Sequence, residues 1–279
     1  MKSKRITELK ALFHLTRPVN LFFVVLGQIL ASFYILKLPL SSELLLLFTG
    51  TLLITAAGYV INDYFDIKAD AVNKPHAVYI GRQVSRRKSL LFVFIQNSIA
   101  LVLAIFISRE VALIYSIVIV LLWLYSYLLK RSFFIGNLLV ACLAGFSIYI
   151  LKYIGHSSNL LLAYVFFAFM SNLIREIIKD CEDIKGDLLL GATTVPIVIG
   201  LQKTRYMILA LIILFIGTVG YCTYHFNSLG IYILSSVIVI LSCLIIYFVF
   251  LGGMSSGFKK ASTTLKFIML IGCFSIFLL

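Results

Sequence analysis

SSELLLLFTGTLLITAAGYVINDYFDIKAD, residues 41–70, joins an apolar run to a cluster of acids without a break. The run, read as 41–62, is long enough to cross about 30 Å of hydrocarbon as a helix. Asn62, Asp63, Asp66 and Asp70 follow at once. On a helix, spacings of three and four fall on one face, so these groups can aim at one point. Like charges so placed repel unless a cation sits among them. The same arithmetic recurs in REIIKDCEDIKGDLLLG, residues 175–191, where Asp180, Asp183 and Asp187 again stand three and four apart.

Working outward, 62% of the residues are hydrophobic and the mean hydropathy is +1.08, far above soluble usage. Nine runs qualify as spans: 18–36, 41–62, 89–107, 111–129, 133–154, 160–178, 207–226, 229–251 and 264–279. The chain therefore reads as all-α, a polytopic membrane protein with nine transmembrane helices in one bundle. Basic residues lie in the short connections. With the N-terminus in the cytoplasm, 21 of the 24 Lys/Arg fall on that side, leaving Lys37, Arg109 and Lys152 opposite. Both acidic stretches are then cytoplasmic, where they can converge, and the C-terminus lies across the membrane.

The net charge of +13 suits anionic lipid headgroups, and no nucleic acid is expected as a partner. The five cysteines form no CxxC pair, which argues against a disulfide framework or a zinc site. The basic, amphipathic N-terminus lacks a cleavage signal. Of eleven acidic residues, seven (Asp63, Asp66, Asp70, Asp180, Glu182, Asp183, Asp187) lie in the two motifs, and Glu176 lies one turn before the second. Unpaired carboxylates near lipid cost about 2.5 to 3.5 kcal/mol each, so the chain is building a site for cations.

Oxygen donors without His or Cys select hard cations, Mg²⁺ or Ca²⁺. Mg²⁺ is commonly shared between carboxylates and a substrate phosphate, so the two clusters could grip a diphosphate through metal bridges. Six Asp, two Mg²⁺ and a diphosphate would leave roughly five negative charges by formal counting, too many for a low-dielectric pocket. Cationic side chains must complete the site. Candidates on the same face are Arg17, Arg82, Lys130 and Lys179, the last beside Arg175. Asn62, at i−4 from Asp66, reads as a ligand or a residue that orients one.

These residues carry a resemblance. NDYFDIKAD paired with KDCEDIKGD, with TRPVN, NKP, GRQVSRR, YSYLLKRSFFIGNLLVA and GATTVPIVIG around them, resembles the UbiA superfamily of intramembrane prenyltransferases. The second motif is most similar to that of the digeranylgeranylglyceryl phosphate synthase branch. The resemblance implies one UbiA-like transmembrane prenyltransferase domain over residues 1–279, in a bacterial or archaeal cell membrane. It implies Mg²⁺-dependent transfer of a prenyl group from a prenyl diphosphate to a lipophilic acceptor. Carried over by position, Asn62, Asp63, Asp66, Asp70, Asp180, Asp183 and Asp187 hold metal, with Asp66, Asp180 and Asp183 central to catalysis. Arg82 and Lys130 match the family's diphosphate-binding cations, and Asn62, Arg17, Lys179 and Glu176 are expected from their placement to contact substrate as well.

The resemblance favours a prenylglycerol phosphate alcohol as acceptor, with an aromatic quinone precursor as the alternative. An alcohol needs a base, and an Asp of the second motif or Glu176 could serve. One departure from the family pattern is Ala77, where many members place an Arg two residues after the proline of the NxP element. Two other classes use membrane carboxylates. A CDP-alcohol phosphotransferase needs a single extended Asp motif that is lacking, and a cation transporter places its acids near the midplane.

Overall fold

The computed structural model describes residues 2–226 and 228–278, with side chains described from residue 6 onward except at 254 and 255. The side chains of Lys2, Lys4 and Arg5, counted in the orientation argument, and Leu279 of the last expected span lie outside the described residues. Among the described residues there are nine helices long and apolar enough to cross a membrane. No strand is present among them; two residues, Ile80 and Val84, form an isolated bridge. The chain divides into two compact units, residues 1–25 with 39–130 and residues 26–38 with 131–279.

The first unit holds α1 (Lys2–Leu15), the start of α2 (Pro18–Leu30), α3 (Ser42–Phe65), α4 (Ile67–Asn73), α5 (Arg86–Ile105) and α6 (Arg109–Tyr127). Three of its helices open on a serine cap: Ser41, Ser85 and Ser108 accept from the amides of Leu44, Lys88 and Val111. α3 is the central element, packed on both α5 and α6. Small residues make that approach possible. A Cβ on Gly50 would lie 2.5 Å from the ring of Tyr115, whose hydroxyl donates to the Leu47 carbonyl at 2.9 Å and meets Thr51 Oγ1 at 2.9 Å. Around the motif end of α3, Ala11, Leu15, Ala57, Val60, Ile61, Ile80, Val84 and Val93 form a buried cluster.

The second unit holds the end of α2, α7 (Ile135–Tyr149), α8 (Asn159–Leu189), α9 (Val195–Ile199), α10 (Leu201–Phe226), α11 (Leu229–Leu251) and α12 (Met254–Phe274). α8 packs against α7, α10 and α12 over a core that includes Ile174, Ile177, Ile178, Phe215, Phe258 and Leu265. Gly145 brings α7 onto α8, since a Cβ there would lie 3.0 Å from the Val165 carbonyl. Gln28 Nε2 ties the end of α2 to α7 through the Ser147 carbonyl at 2.7 Å.

Three span boundaries differ most from the sequence expectation. The helix read as ending at 178 continues to Leu189, because the acids of its far end lie beyond the hydrocarbon without breaking the helix. The helices read from 207 and 264 begin at Leu201 and Met254. Lys203, Arg205, Lys259 and Lys260 interrupt the hydropathy without interrupting the helix, because long basic side chains at a span end carry their charge toward the interface. Elsewhere Ile99, Val102, Ile105, Leu113, Ile117 and Val120 stand exposed on α5 and α6. In water these faces would cost about 25 cal/mol per Å² of apolar surface, which makes lipid their natural surroundings.

Candidate active site

In the first unit the acidic motif sits where α3 ends. Asp66 is the single residue between α3 and α4, at φ −92° and ψ 2° instead of helical values. Its amide still donates to the Asn62 carbonyl at 3.1 Å, and its carbonyl accepts from Asp70 at 2.8 Å. The spacing argument assumed one continuous helix face. In the structure the chain bends at Asp66, so Asp63 and Asp70 belong to different helices.

Two cations meet these carboxylates. Arg17 pairs with Asp63 Oδ1, and its guanidinium lies 5.0 Å from the centre of the Tyr59 ring. Arg17 adopts φ 52° immediately before Pro18, a left-handed conformation that costs a non-glycine residue about 1 kcal/mol. Lys130, in the turn after α6, pairs with Asp66 Oδ2, which also accepts Asn62 Nδ2 at 2.9 Å. Burial works against the charge on Lys130, but Asp66 and then Asp70 more than offset it and raise its pKa. Asp70 goes the other way. Burial first, then the fields of Asp66 and Asp63, push its carboxyl up to about 6, even against Lys130 and Lys74. Asp70 thus feels both neighbouring carboxylates, while the two paired cations sit on Asp63 and Asp66.

Asn62 completes this cluster. Its Oδ1 is buried and has no hydrogen-bond partner, while its amide is committed to Asp66. Arg82 is exposed and donates through Nη1 to the Pro75 carbonyl at 2.8 Å, bracing the loop that turns at Gly81 with φ 87°.

In the second unit the motif lies on one uninterrupted helix. At 1.5 Å per residue the 31 residues of α8 extend about 46 Å, longer than the hydrocarbon, with Asp180 to Asp187 near its C-terminal end. Asp180 Oδ2 accepts Asn137 Nδ2 of α7 at 2.7 Å. Asp187 closes the helix end, its carbonyl accepting from Ala192 at 3.0 Å and its Oδ2 from Thr194 Oγ1 at 3.5 Å. Upstream, Glu176 Oε1 accepts both Lys179 Nζ at 2.7 Å and Arg175 Nη1 at 3.2 Å.

Sequence reasoning did not single out Asn137 or Tyr59. The signal for Asn137 was an amide inside the apolar run of residues 133–154, where an unpartnered polar group is costly. Tyr59 carried none, being one of fifteen tyrosines.

Among the described residues, no group of three or more His, Cys, Asp or Glu closes tightly enough to cage a metal unaided. The donor set nonetheless fits a hard divalent ion. Every candidate is an oxygen, Asn62 Oδ1 is buried and unengaged, and the crowding of Asp70 is the kind a cation relieves. A magnesium ion that retains waters and shares its shell with a phosphate needs no closed protein cage.

Residues 20–271 match the model of the UbiA prenyltransferase family. The chain belongs to this family. The UbiA chain is 35% identical over 205 residues to a digeranylgeranylglyceryl phosphate synthase of Thermococcus gammatolerans, covering 72% of this chain and 73% of that one. It is 31% identical over 259 residues to the enzyme of that name from Methanosphaera stadtmanae, covering 91% and 93%. Among solved structures it resembles one described in "Structural and mechanistic insights into the biosynthesis of Digeranylgeranylglyceryl phosphate synthase in membranes", with TM-score 0.73, 26% identity and coverage of 96% and 97%. It shares the fold of a UbiA homologue from Archaeoglobus fulgidus bound to GPP and Mg²⁺, with TM-score 0.69, 16% identity and coverage of 95% and 99%. The UbiA chain is an integral membrane prenyltransferase, which sets aside the phosphotransferase and transporter alternatives.

Proposed function

We propose that the protein transfers a prenyl group, geranylgeranyl in our reading, from its diphosphate to the hydroxyl of a prenylglycerol phosphate, with Mg²⁺. The observation that carries this is the first cluster. It holds three crowded carboxylates, a buried amide oxygen without a partner, and two cations, Arg17 and Lys130, within reach of any anion that displaces the carboxylates. The named relatives supply the acceptor class.

In this reading Asn62, Asp63, Asp66, Asp70, Asp180, Asp183 and Asp187 hold Mg²⁺. Bound magnesium supplies stabilisation of the negative charge that develops on the departing diphosphate. Arg17 and Lys130 take phosphate oxygens, Arg17 through its planar fork and Lys130 as a point charge. As diphosphate leaves C1 of the prenyl chain, the acceptor oxygen bonds to that carbon and gives its proton to an Asp of the second motif. The surrounding apolar helices exclude the water that would compete for the same carbon. Arg82 acts on this site through the 75–84 loop.

The orientation in this reading is that of the charge distribution, with the N-terminus and both motifs cytoplasmic and the C-terminus opposite. Impermeant thiol labelling of single cysteines in the loops tests it, and labelling of residue 83 from outside the cell would refute it.

Purified protein with Mg²⁺, radiolabelled geranylgeranyl diphosphate and a panel of acceptors tests the function. The expected product is a diprenylated glycerol phosphate. Product from an aromatic acceptor alone would overturn the acceptor and leave the family chemistry intact.

A further inference from the structure

The ionic network upstream of the second motif has no task in the reading above. Arg175 and Glu176 are 9% and 8% exposed, within a stretch, Leu173 to Ile178, that is buried throughout. A single oxygen, Glu176 Oε1, accepts from both Arg175 and Lys179. The geometry makes Glu176 a tether for the two cations.

Arg175 is the residue left with unused capacity. Its Nε is buried and has no hydrogen-bond partner. A guanidinium offers five donors in a fixed fork, and a buried charged group with an unmade bond is costly. Glu176, Asp180, Asp183 and Asp187 follow at i, i+4, i+7 and i+11, so the network continues the acidic stripe of α8 toward the middle of the span. Arg175 stands one residue before Glu176, about 100° around the helix from that stripe, and meets it through Nη1 on Glu176 Oε1; along the axis it lies about 7.5 Å from Asp180. That is a separation a small phosphorylated alcohol bridges between its reacting oxygen and its phosphate.

We propose that Arg175, held by Glu176 and flanked by Lys179, binds the phosphate monoester of the acceptor and so selects phosphorylated over neutral alcohols. This rests on the acceptor reading given under Proposed function. The fork of Arg175 matches two phosphate oxygens, and Lys179 adds a point charge beside them. Glu176 fixes the fork before the acceptor arrives and is a positioning residue.

The test uses the full-length protein in detergent with Mg²⁺ and saturating prenyl diphosphate. It compares a prenylglycerol phosphate with the same prenylglycerol lacking phosphate. Arg175→Gln is expected to raise the KM for the phosphorylated acceptor about tenfold or more, to leave the KM for prenyl diphosphate within about twofold, and to abolish the preference for phosphate. Arg175→Lys should recover part of that preference. A normal acceptor KM in Arg175→Gln, or a rise confined to the diphosphate KM, would overturn the assignment. If Arg175→Gln does not fold, Lys179→Gln and Arg175→Lys carry the comparison, and an unchanged preference in both overturns it equally. Wild-type protein indifferent to the acceptor's phosphate would refute the acceptor reading itself. A wild-type preference retained by the variants would refute only the role of Arg175.

Discussion

Asn137 donates its side-chain amide to Oδ2 of Asp180 at 2.7 Å, joining α7 to the first carboxylate of the second motif. An amide that is 7% exposed and holds one oxygen fixes the orientation of the whole carboxylate. Replacing such an orienting partner commonly costs 10 to 100-fold in metal affinity or activity. Asn137→Leu is therefore expected to raise the Mg²⁺ concentration for half-maximal activity by about tenfold or more, with folding retained because an apolar residue suits the span. A magnesium titration of initial rate checks this, and an unchanged half-saturation point would show that Asn137 serves packing alone.

Either cluster should be indispensable. Asp66→Ala removes the acceptor of both Lys130 and Asn62 Nδ2, and Asp183→Ala removes a carboxylate of the α8 stripe. Each substitution alone is expected to reduce transfer to below about a thousandth of wild type, on the scale of losing central electrostatic stabilisation. Membrane insertion and the gel-filtration profile should not change. Substantial turnover by either variant would exclude its cluster from the reaction.

How much of this was legible beforehand divides along physical lines. Hydropathy and loop charge exposed the nine spans, because both report directly on lipid as a solvent. The acids of the motifs were legible because charge is rare and costly in such a chain. What escaped was whatever depends on chain direction at one residue or on contact between distant helices. The bend at Asp66 is a change of backbone angles at one residue with no signature in composition. The partnership of Asn137 with Asp180 links residues 43 apart in sequence, and that of Arg17 with Asp63 links residues 46 apart. The sequence named Arg17 and Lys130 as two of four cations on one face, and only the fold shows them on Asp63 and Asp66 while Arg82 braces a loop.

Arg17 combines two contacts that lysine does not make in the same way: its Nη2 on Asp63 Oδ1 and its planar guanidinium over the ring of Tyr59, on a left-handed backbone ahead of Pro18. Arg17→Lys keeps the charge and loses the planar guanidinium that meets both Asp63 and the Tyr59 ring. It is expected to lower kcat/KM for the prenyl diphosphate by about tenfold to a hundredfold, equivalent to about 1.4 to 2.7 kcal/mol. Steady-state kinetics at saturating acceptor decide this, and wild-type kcat/KM in the lysine variant would reduce Arg17 to an anchor.

Metal removal should be reversible and selective. Because every candidate ligand is an oxygen, stripping the protein with a chelator is expected to abolish transfer, and Mg²⁺ should restore it. Zn²⁺, which favours nitrogen and sulfur donors, should restore little. Activity that persists in chelator would contradict the whole oxygen-donor reading.

The last expectation concerns the scaffold that holds the first motif in place. Gly50 allows α6 to approach α3, and a methyl group there would lie 2.5 Å from Tyr115 Cε2. The ring cannot swing aside freely, since its hydroxyl is bonded to Leu47 and Thr51. Gly→Ala inside a helix ordinarily gains about 0.5 to 1 kcal/mol, whereas overpacking a fitted contact costs about 1 to 3 kcal/mol. The second effect is larger, so Gly50→Ala should lower the thermal midpoint in detergent. Adding Tyr115→Leu to that variant removes the ring and should return part of the loss, which separates a steric origin from a backbone one. A midpoint for Gly50→Ala at or above wild type would mean that α3 and α6 shift apart at little cost, and the position of the Asp63 and Asp66 carboxylates would then not depend on this contact.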